Sequence, residues 1–265
     1  MRRQAQPGPW QPSHFPPRDG MMAPSANSVG LPGILIDMPD VTVLSSLATR
    51  EAYLELVPEF ERKSGHKVTT TWTGTTDIAK RMAAGEVYDL VVSSSTSHRD
   101  LAAQGKIVAA SLTNLARCGV GMAVRTGLPR PDVSTTEAFK QAMLAAKTIG
   151  YSTGPSGVYI AKLFERLGIA DIMTPKTRQV PSGMSVGPFV AKGEADFGFQ
   201  QESELVHVPG IDYIGPLPAE LQNVTIFTAG VHSRAAHPEA AKALVAFLTT
   251  PEAGAVMRKH GLQPG

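Results

Sequence analysis

Val41-Thr42-Val43-Leu44-Ser45 is a β-branched, apolar run that gives way at Ser46 to a turn of small residues ending at Thr49. From Arg50 the period changes. Tyr53, Leu54, Val57 and Phe60 recur at three- and four-residue spacing, which predicts a helix over 50–64 closed by Gly65. A strand, a hydroxyl-rich turn and a helix in immediate succession form the repeating unit of an α/β fold, and the same alternation continues outward from this point. A Val-, Thr- and Trp-rich segment predicts a strand over 67–73, followed by a short helix over 76–84 and a strand over 89–94. Strands are predicted over 119–124 and 148–152, separated by an Ala-rich helix over 137–147. Then come a helix over 157–167, a strand near 178–180, a helix over 186–192 and a strand over 196–199. The last third predicts strands over 212–215 and 225–231 and a final helix opening at Pro238, where a first-turn proline is well tolerated. There is no internal repeat. The alternation implies mostly parallel strands flanked by helices, and by itself it leaves one sheet and two lobes equally open.

The composition narrows the function classes. The chain has 265 residues, 42 % apolar and 18 % charged, enough for one or two compact units with a large core. Twenty-five Lys and Arg against 23 Asp and Glu give a formal charge of +2, with no basic run suited to a phosphate backbone, so nucleic acid is not expected as a partner. A single cysteine, Cys118, excludes an intrachain disulfide and a four-Cys metal site and reads as a small buried hydrophobe. No stretch reaches the ~20 apolar residues of a membrane span. Eight of the 21 prolines fall in the first 40 residues, which read as a disordered leader over 1–40. Arg2 and Arg3 have no apolar stretch behind them, so no export signal is expected in the sequence as written.

Four predicted strand ends share one feature. Each is followed by hydroxyl residues or glycine directly before a helix: Ser45-Ser46 to Thr49, Thr73-Gly74-Thr75-Thr76, Gly154-Pro155-Ser156-Gly157 and Ser182-Gly183-Met184-Ser185. A helix start leaves backbone N–H groups unpaired and carries about half a positive charge, so it attracts anions without a cationic side chain. In an open α/β sheet such turns gather at the C-terminal ends of the strands, where ligands lodge. Taken singly, each turn is equally an ordinary N-cap. Other chemistry is thinly supplied. The seven histidines show no paired helical spacing with an intervening Glu, Thr73-Gly74-Thr75-Thr76 lacks the lysine of a phosphate loop, and Ser156 lacks the Gly-x-Ser-x-Gly spacing of a hydrolase elbow. No metal and no cofactor is therefore expected. Gln200, Gln201, Glu202 and Glu204 cluster behind a predicted strand, either facing a ligand or lying in a solvated loop.

Several segments together resemble the molybdate-binding proteins of bacterial ABC importers. They are Val41-Thr42-Val43-Leu44 with its turn, Ser64-Gly65-His66-Lys67-Val68, Ile78-Ala79-Lys80 with Gly85, Asp89-Leu90-Val91-Val92, Pro155-Ser156-Gly157-Val158-Tyr159 and Val190-Ala191-Lys192-Gly193-Glu194-Ala195-Asp196-Phe197-Gly198. The resemblance runs from Val41 to the C-terminus. It implies a two-lobed type 2 periplasmic-binding-protein fold, each lobe a mostly parallel sheet flanked by helices, with lobe I over 41–124 and 225–265, lobe II over 125–224 and a hinge between them. It also implies a small anion held at those four turns, an importer permease as partner, a monomer and a periplasmic location. The absent export signal leaves the cytoplasm open.

Carried over position by position, the site resembles the molybdate pattern only in part. The family serine of the first turn falls on Ala48, with Ser45, Ser46 and Arg50 around it; Thr75 or Thr76 takes the second; Ser156, beside Gly157, replaces an alanine; Val186 is kept; and Gln201 replaces a tyrosine. The segment Phe197-Gly198-Phe199-Gln200-Gln201-Glu202-Ser203-Glu204-Leu205, with Val208-Pro209-Gly210-Ile211-Asp212, is similar instead to a branch that includes isomerases of cis- and trans-aconitate. A tricarboxylate needs more donors than molybdate, and Arg50, Ser45, Thr75, Ser156 and Gln201 offer them. Isomerisation also needs a general base. No catalytic residue is assigned, and Glu202 and Glu204 are candidates through their proximity to Gln201. The preferred expectation is capture of a molybdate-like oxyanion or small organic acid for an importer, and the alternative is isomerisation of aconitate on the same scaffold.

Overall fold

The structure is a computed structural model that describes residues 40–181 and 183–265, so the expected leader, apart from Asp40, and Ser182 of the fourth turn lie outside the described residues. The chain runs β1 (Val41–Ser46), α1 (Arg50–Ser64), β2 (Val68–Thr73), α2 (Thr75–Ala83), β3 (Leu90–Ser94), α3 (Ser95–Ala103) and β4 (Thr113–Arg125). It continues with α4 (Thr136–Ala145), β5 (Ile149–Ser152), α5 (Pro155–Arg166), α6 (Ala170–Met173), β6 (Thr177–Val180), α7 (Val186–Ala191), β7 (Phe197–Gln201) and β8 (Ile211–Pro216). It closes with β9 (Val224–Val231), α8 (Pro238–Leu248), α9 (Pro251–Lys259) and β10 (Gln263–Pro264).

The result is a two-lobed α/β fold, and β4 is the strand that joins its sheets. The first half of β4 pairs antiparallel with β9, from Thr113 to Gly119, and the second half pairs with β7 and β8, from Val120 to Arg125. One sheet therefore reads β2-β1-β3-β9-β4 and the other continues β4-β7-β5-β6. Pairing is parallel where the chain alternates strand and helix (β1 with β2 and β3, β5 with β6 and β7) and antiparallel where β9 and β4 cross.

Side-chain packing follows the same division. The strand period of two sends Val41 and Val43 of β1 to one face, against Tyr53, Leu56 and Phe60 of α1, and Leu44 to the other, against Ile78 and Met82 of α2. Each of these large side chains is nearly sealed from water, worth roughly 1.5 to 3 kcal/mol apiece. Along β4, Leu115, Ala116 and Cys118 pack in the first core, whereas Val120 and Met122 join Phe139, Ile149, Ile160 and Phe199 in the second. Gly119 sits at the change. A Cβ there would overlap the Glu202 carboxylate and approach the Gln222 amide to 2.9 Å, so two side chains from outside the strand can lie against its backbone.

Besides the two-residue β10, which pairs with β4, three segments differ from the sequence expectations. Residues 95–118 hold α3 and the first half of β4, neither of which has a clear period in the sequence. The four-residue α6 is too short to announce itself. The expected final helix is two: α8 stops at Leu248, and Thr250 caps the start of α9 by accepting the Ala253 N–H with its side chain, with Pro251 at the first helical position.

Candidate functional site

The four hydroxyl-rich turns converge. Ser46, Leu47 and Ala48 behind β1, Gly74 and Thr75 behind β2, Gly154 to Ser156 behind β5, and Gly183 with Met184 behind β6 line a single cavity of about 30 Å³. That is the space of about two waters. The end of β7 completes the wall with Gln200, Gln201 and Glu204. No Lys or Arg among the described residues lines it.

Local chemistry explains how each turn presents its donors. Gly74 and Gly154 are extended N-caps without side chains, so no cap side chain covers the first N–H groups of α2, from Thr75 on, or of α5, from Ser156 on, since Pro155 has none. Gly157 lets α5 begin against β5: a Cβ there would overlap the Ser152 carbonyl oxygen and lie 2.7 Å from its carbon. Ser156, only 1 % exposed, faces the cavity with no hydrogen-bond partner among the described residues, and Thr75 opposite it also has none. Two uncommitted hydroxyls, one from each lobe, thus stand at the same space. Ser46 is partly engaged, since its Oγ accepts from the Ala48 N–H at 3.4 Å.

The remaining candidates have other positions. Ser45 is sealed in the core and its hydroxyl pairs with Thr49 at 3.0 Å. The Thr76 hydroxyl donates across the cleft to the Thr153 carbonyl at 3.3 Å, in an open groove beside the cavity. Gly157 and Val186 support the wall without lining it. Arg50, one residue past Thr49, points into a neighbouring depression of about 310 Å³, where it donates to Glu51 at 2.9 Å. Leu47 and Glu204 line both spaces, so the inner cavity and the outer depression share a wall. Gln201 reaches the cavity, but its amide is committed to the crossing strands: it donates to the Cys118 and Gly119 carbonyls at 3.1 and 3.2 Å and accepts from Thr225 at 3.0 Å.

The two acidic candidates separate cleanly. Glu202 lies on the far side of the turn Glu202–Glu204, where its carboxylate accepts from the Tyr213 hydroxyl at 2.6 Å. Glu204 lies in the cavity wall. Burial pushes its carboxyl up to about 8, against hydrogen bonds from the Gln200 side chain and the Gln201 backbone that favour the ionised form. The upward shift brings its titration toward neutral pH, the condition suited to moving protons. The lobes are also tied directly, since the Ser203 hydroxyl donates to the Ala48 carbonyl at 2.7 Å.

Comparison with known proteins gives these features a context. The family model of bacterial extracellular solute-binding proteins matches residues 41–263. An aconitate isomerase of Pseudomonas sp. is 37 % identical over 230 residues, covering 84 % of this chain and 87 % of that protein. The molybdate-binding protein ModA of Escherichia coli (strain K12) is 21 % identical over 235 residues, covering 86 % of this chain and 90 % of its own. Among solved structures, the periplasmic molybdate-binding protein of Azotobacter vinelandii superposes with a TM-score of 0.72 at 19 % identity, covering 85 % of this chain and 99 % of that one, and this likeness speaks to the fold alone.

Proposed function

Because the chain belongs to the bacterial extracellular solute-binding protein family, we propose that it closes on a small unsaturated polycarboxylate of the aconitate class and interconverts its cis and trans isomers by moving an allylic proton. The observation that carries this reading is Glu204, a carboxyl held near neutrality in the wall of a cavity otherwise furnished with hydroxyls and amides. Capture alone has no use for such a group: once ionised it repels an oxyanion. A 1,3-proton shift needs it. As a carboxylate, Glu204 takes a proton from the substrate methylene. The C–H electron pair becomes the new C=C bond, the former double bond takes a proton at its vinyl carbon, and the newly protonated carboxyl returns it. Atoms and electrons balance without oxidant or metal.

The donor set supports the same substrate class. Thr75, Ser156 and the first N–H groups of α2 and α5 would hold one carboxylate in the inner cavity, and Arg50 would meet another in the outer depression. The lobes are taken as 41–124 with 225–265 and 125–224, swinging about the crossing strands, with packing changing hands between Cys118 and Val120. Isomerisation was the alternative on sequence grounds, and the position of Glu204 is what moves it ahead of capture.

A second reading, delivery of an anion to an importer permease at the outer face of the membrane, is favoured by one feature: no cationic side chain among the described residues lines the inner cavity, so a compact oxyanion would be held by neutral donors alone. Mixing the protein with cis-aconitate and following the ultraviolet spectrum separates the two. Appearance of the trans isomer is the expected result. Tight molybdate binding by calorimetry with no turnover would overturn the isomerase reading.

A further inference from the structure

We propose that Gln200 is a positioning residue that dictates which oxygen of Glu204 carries the proton. Gln200 is 2 % exposed and sits on β7, where its backbone is paired opposite Gly121 of β4. Its side-chain oxygen accepts from the Val186 backbone N–H at 2.7 Å and lies 3.4 Å from the Ser185 hydroxyl. A backbone N–H can only donate, so that end of the amide must be the oxygen. The NH₂ end is thereby aimed at Glu204, where it donates to Oε1 at 2.6 Å. The amide nitrogen cannot accept, and the unprotonated oxygen of a carboxyl is its better acceptor, so the contact favours Oε1 as the carbonyl oxygen and Oε2 as the protonated one, with the Gln201 backbone N–H as a further donor to the same carboxyl.

The consequence is directional. A carboxyl free to rotate would exchange its two oxygens and blur the geometry of proton delivery; one oxygen pinned by Gln200 leaves the other as the working atom. The support behind Gln200 is rigid, since Val186 is fully buried among Val180, Val190 and Leu205. Among the described residues, β7, α7 and the turn Leu47–Thr49 contain no titratable side chain; Cys118 of β4 interacts with Glu204 but stays neutral, since burial pushes its thiol up to about 12; and the groups facing Glu204 from outside are Arg50 and Glu51 of α1 and His207, all lining the outer depression. The neighbouring Glu202 is occupied by Tyr213.

This role rests on the isomerase reading for its catalytic meaning, but the titration that tests it does not. The free protein, labelled with 13C at the glutamate carboxyls and assigned with Glu204→Gln, is titrated by NMR alongside Gln200→Leu and Gln200→Glu. The wild-type Glu204 midpoint is expected near 8. Loss of the donor in Gln200→Leu should raise it by about one to two pH units, and Gln200→Glu should also raise it, because two carboxyls must then share a proton. An unmoved midpoint in a folded Gln200→Leu overturns the proposal; if that variant does not fold, an unmoved midpoint in Gln200→Glu does so. Where the wild type turns over cis-aconitate, the acid limb of its pH–rate profile should shift with the titration, and a profile that stays put while the midpoint moves also overturns it. A wild type without turnover but with the shifted midpoints would remove the isomerase reading and leave the Gln200 anchoring intact.

Discussion

Replacing Ser156 by alanine should leave stability nearly unchanged and weaken binding. The hydroxyl is 1 % exposed and has no protein partner among the described residues, so its removal breaks no hydrogen bond of the free protein. Folding stability should stay within about 0.5 kcal/mol of wild type, because deleting an unpaired buried polar atom leaves nothing newly unsatisfied. Binding is different. A hydroxyl donating to a charged ligand contributes about 1.5 to 3 kcal/mol, so affinity for a tricarboxylate should fall roughly 10- to 100-fold. The control is Ser152→Ala at the end of β5, four residues earlier, where the lost Oγ accepts from the Gly154 N–H at 3.2 Å; that variant should lose about 1 to 3 kcal/mol of stability. Thermal melting reads the first quantity and titration calorimetry with trans-aconitate the second. Ser156→Ala with unchanged affinity and a lowered melting point would refute the argument, since it would make Ser156 a structural hydroxyl.

Other residues give equally direct expectations. Gly157→Ala should destabilise by about 1 to 3 kcal/mol, because its Cβ overlaps the Ser152 carbonyl and α5 must slide off β5; a wild-type melting curve would contradict this. Glu204→Gln should gain stability over wild type as pH rises: between the unperturbed value of 4.5 and the folded value of about 8 the unfolded chain releases a proton the folded chain keeps, so wild-type stability declines across that window and the variant's does not. Parallel melting curves from pH 4 to 9 would contradict it. Arg50→Gln should weaken a saturated tricarboxylate by about fivefold, the modest effect of a half-exposed cation, while leaving a small monocarboxylate held in the inner cavity unchanged. Equal loss for both ligands would place Arg50 elsewhere in the mechanism.

The sequence was most informative where local chemistry alone sets the structure. The period of Tyr53, Val57 and Phe60 and the stop at Gly65, whose φ of 78° favours glycine, give α1 its observed bounds, Arg50–Ser64. The four small-residue turns were legible because helix starts need caps or bare N–H groups, and parallel strands bring them to one edge. α3 was not, since only His98 and Leu101 of its nine residues are buried and no apolar stripe marks it. The course of β4 through both sheets was equally hidden, because antiparallel pairing with β9 is a tertiary fact with no trace in the period of either strand. At the site, composition placed Glu202 and Glu204 on the same footing. The short turn between them sends one carboxylate to Tyr213 and the other into the cavity, and only the backbone geometry distinguishes them. Arg50 failed to reach the inner cavity for a similar reason, as one residue of helix beyond Thr49 rotates it into the outer depression.

Proton transfer by Glu204 to a bound polycarboxylate is open to one decisive comparison. Wild type and Glu204→Gln are each incubated with cis-aconitate, with the isomers counted by proton NMR and affinity measured in parallel by calorimetry. Trans-aconitate should accumulate with the wild type and slow by about 10² to 10⁴-fold in the variant at nearly unchanged affinity. Equal rates in the two proteins, or ligand held tightly by the wild type without any isomer appearing, would contradict it.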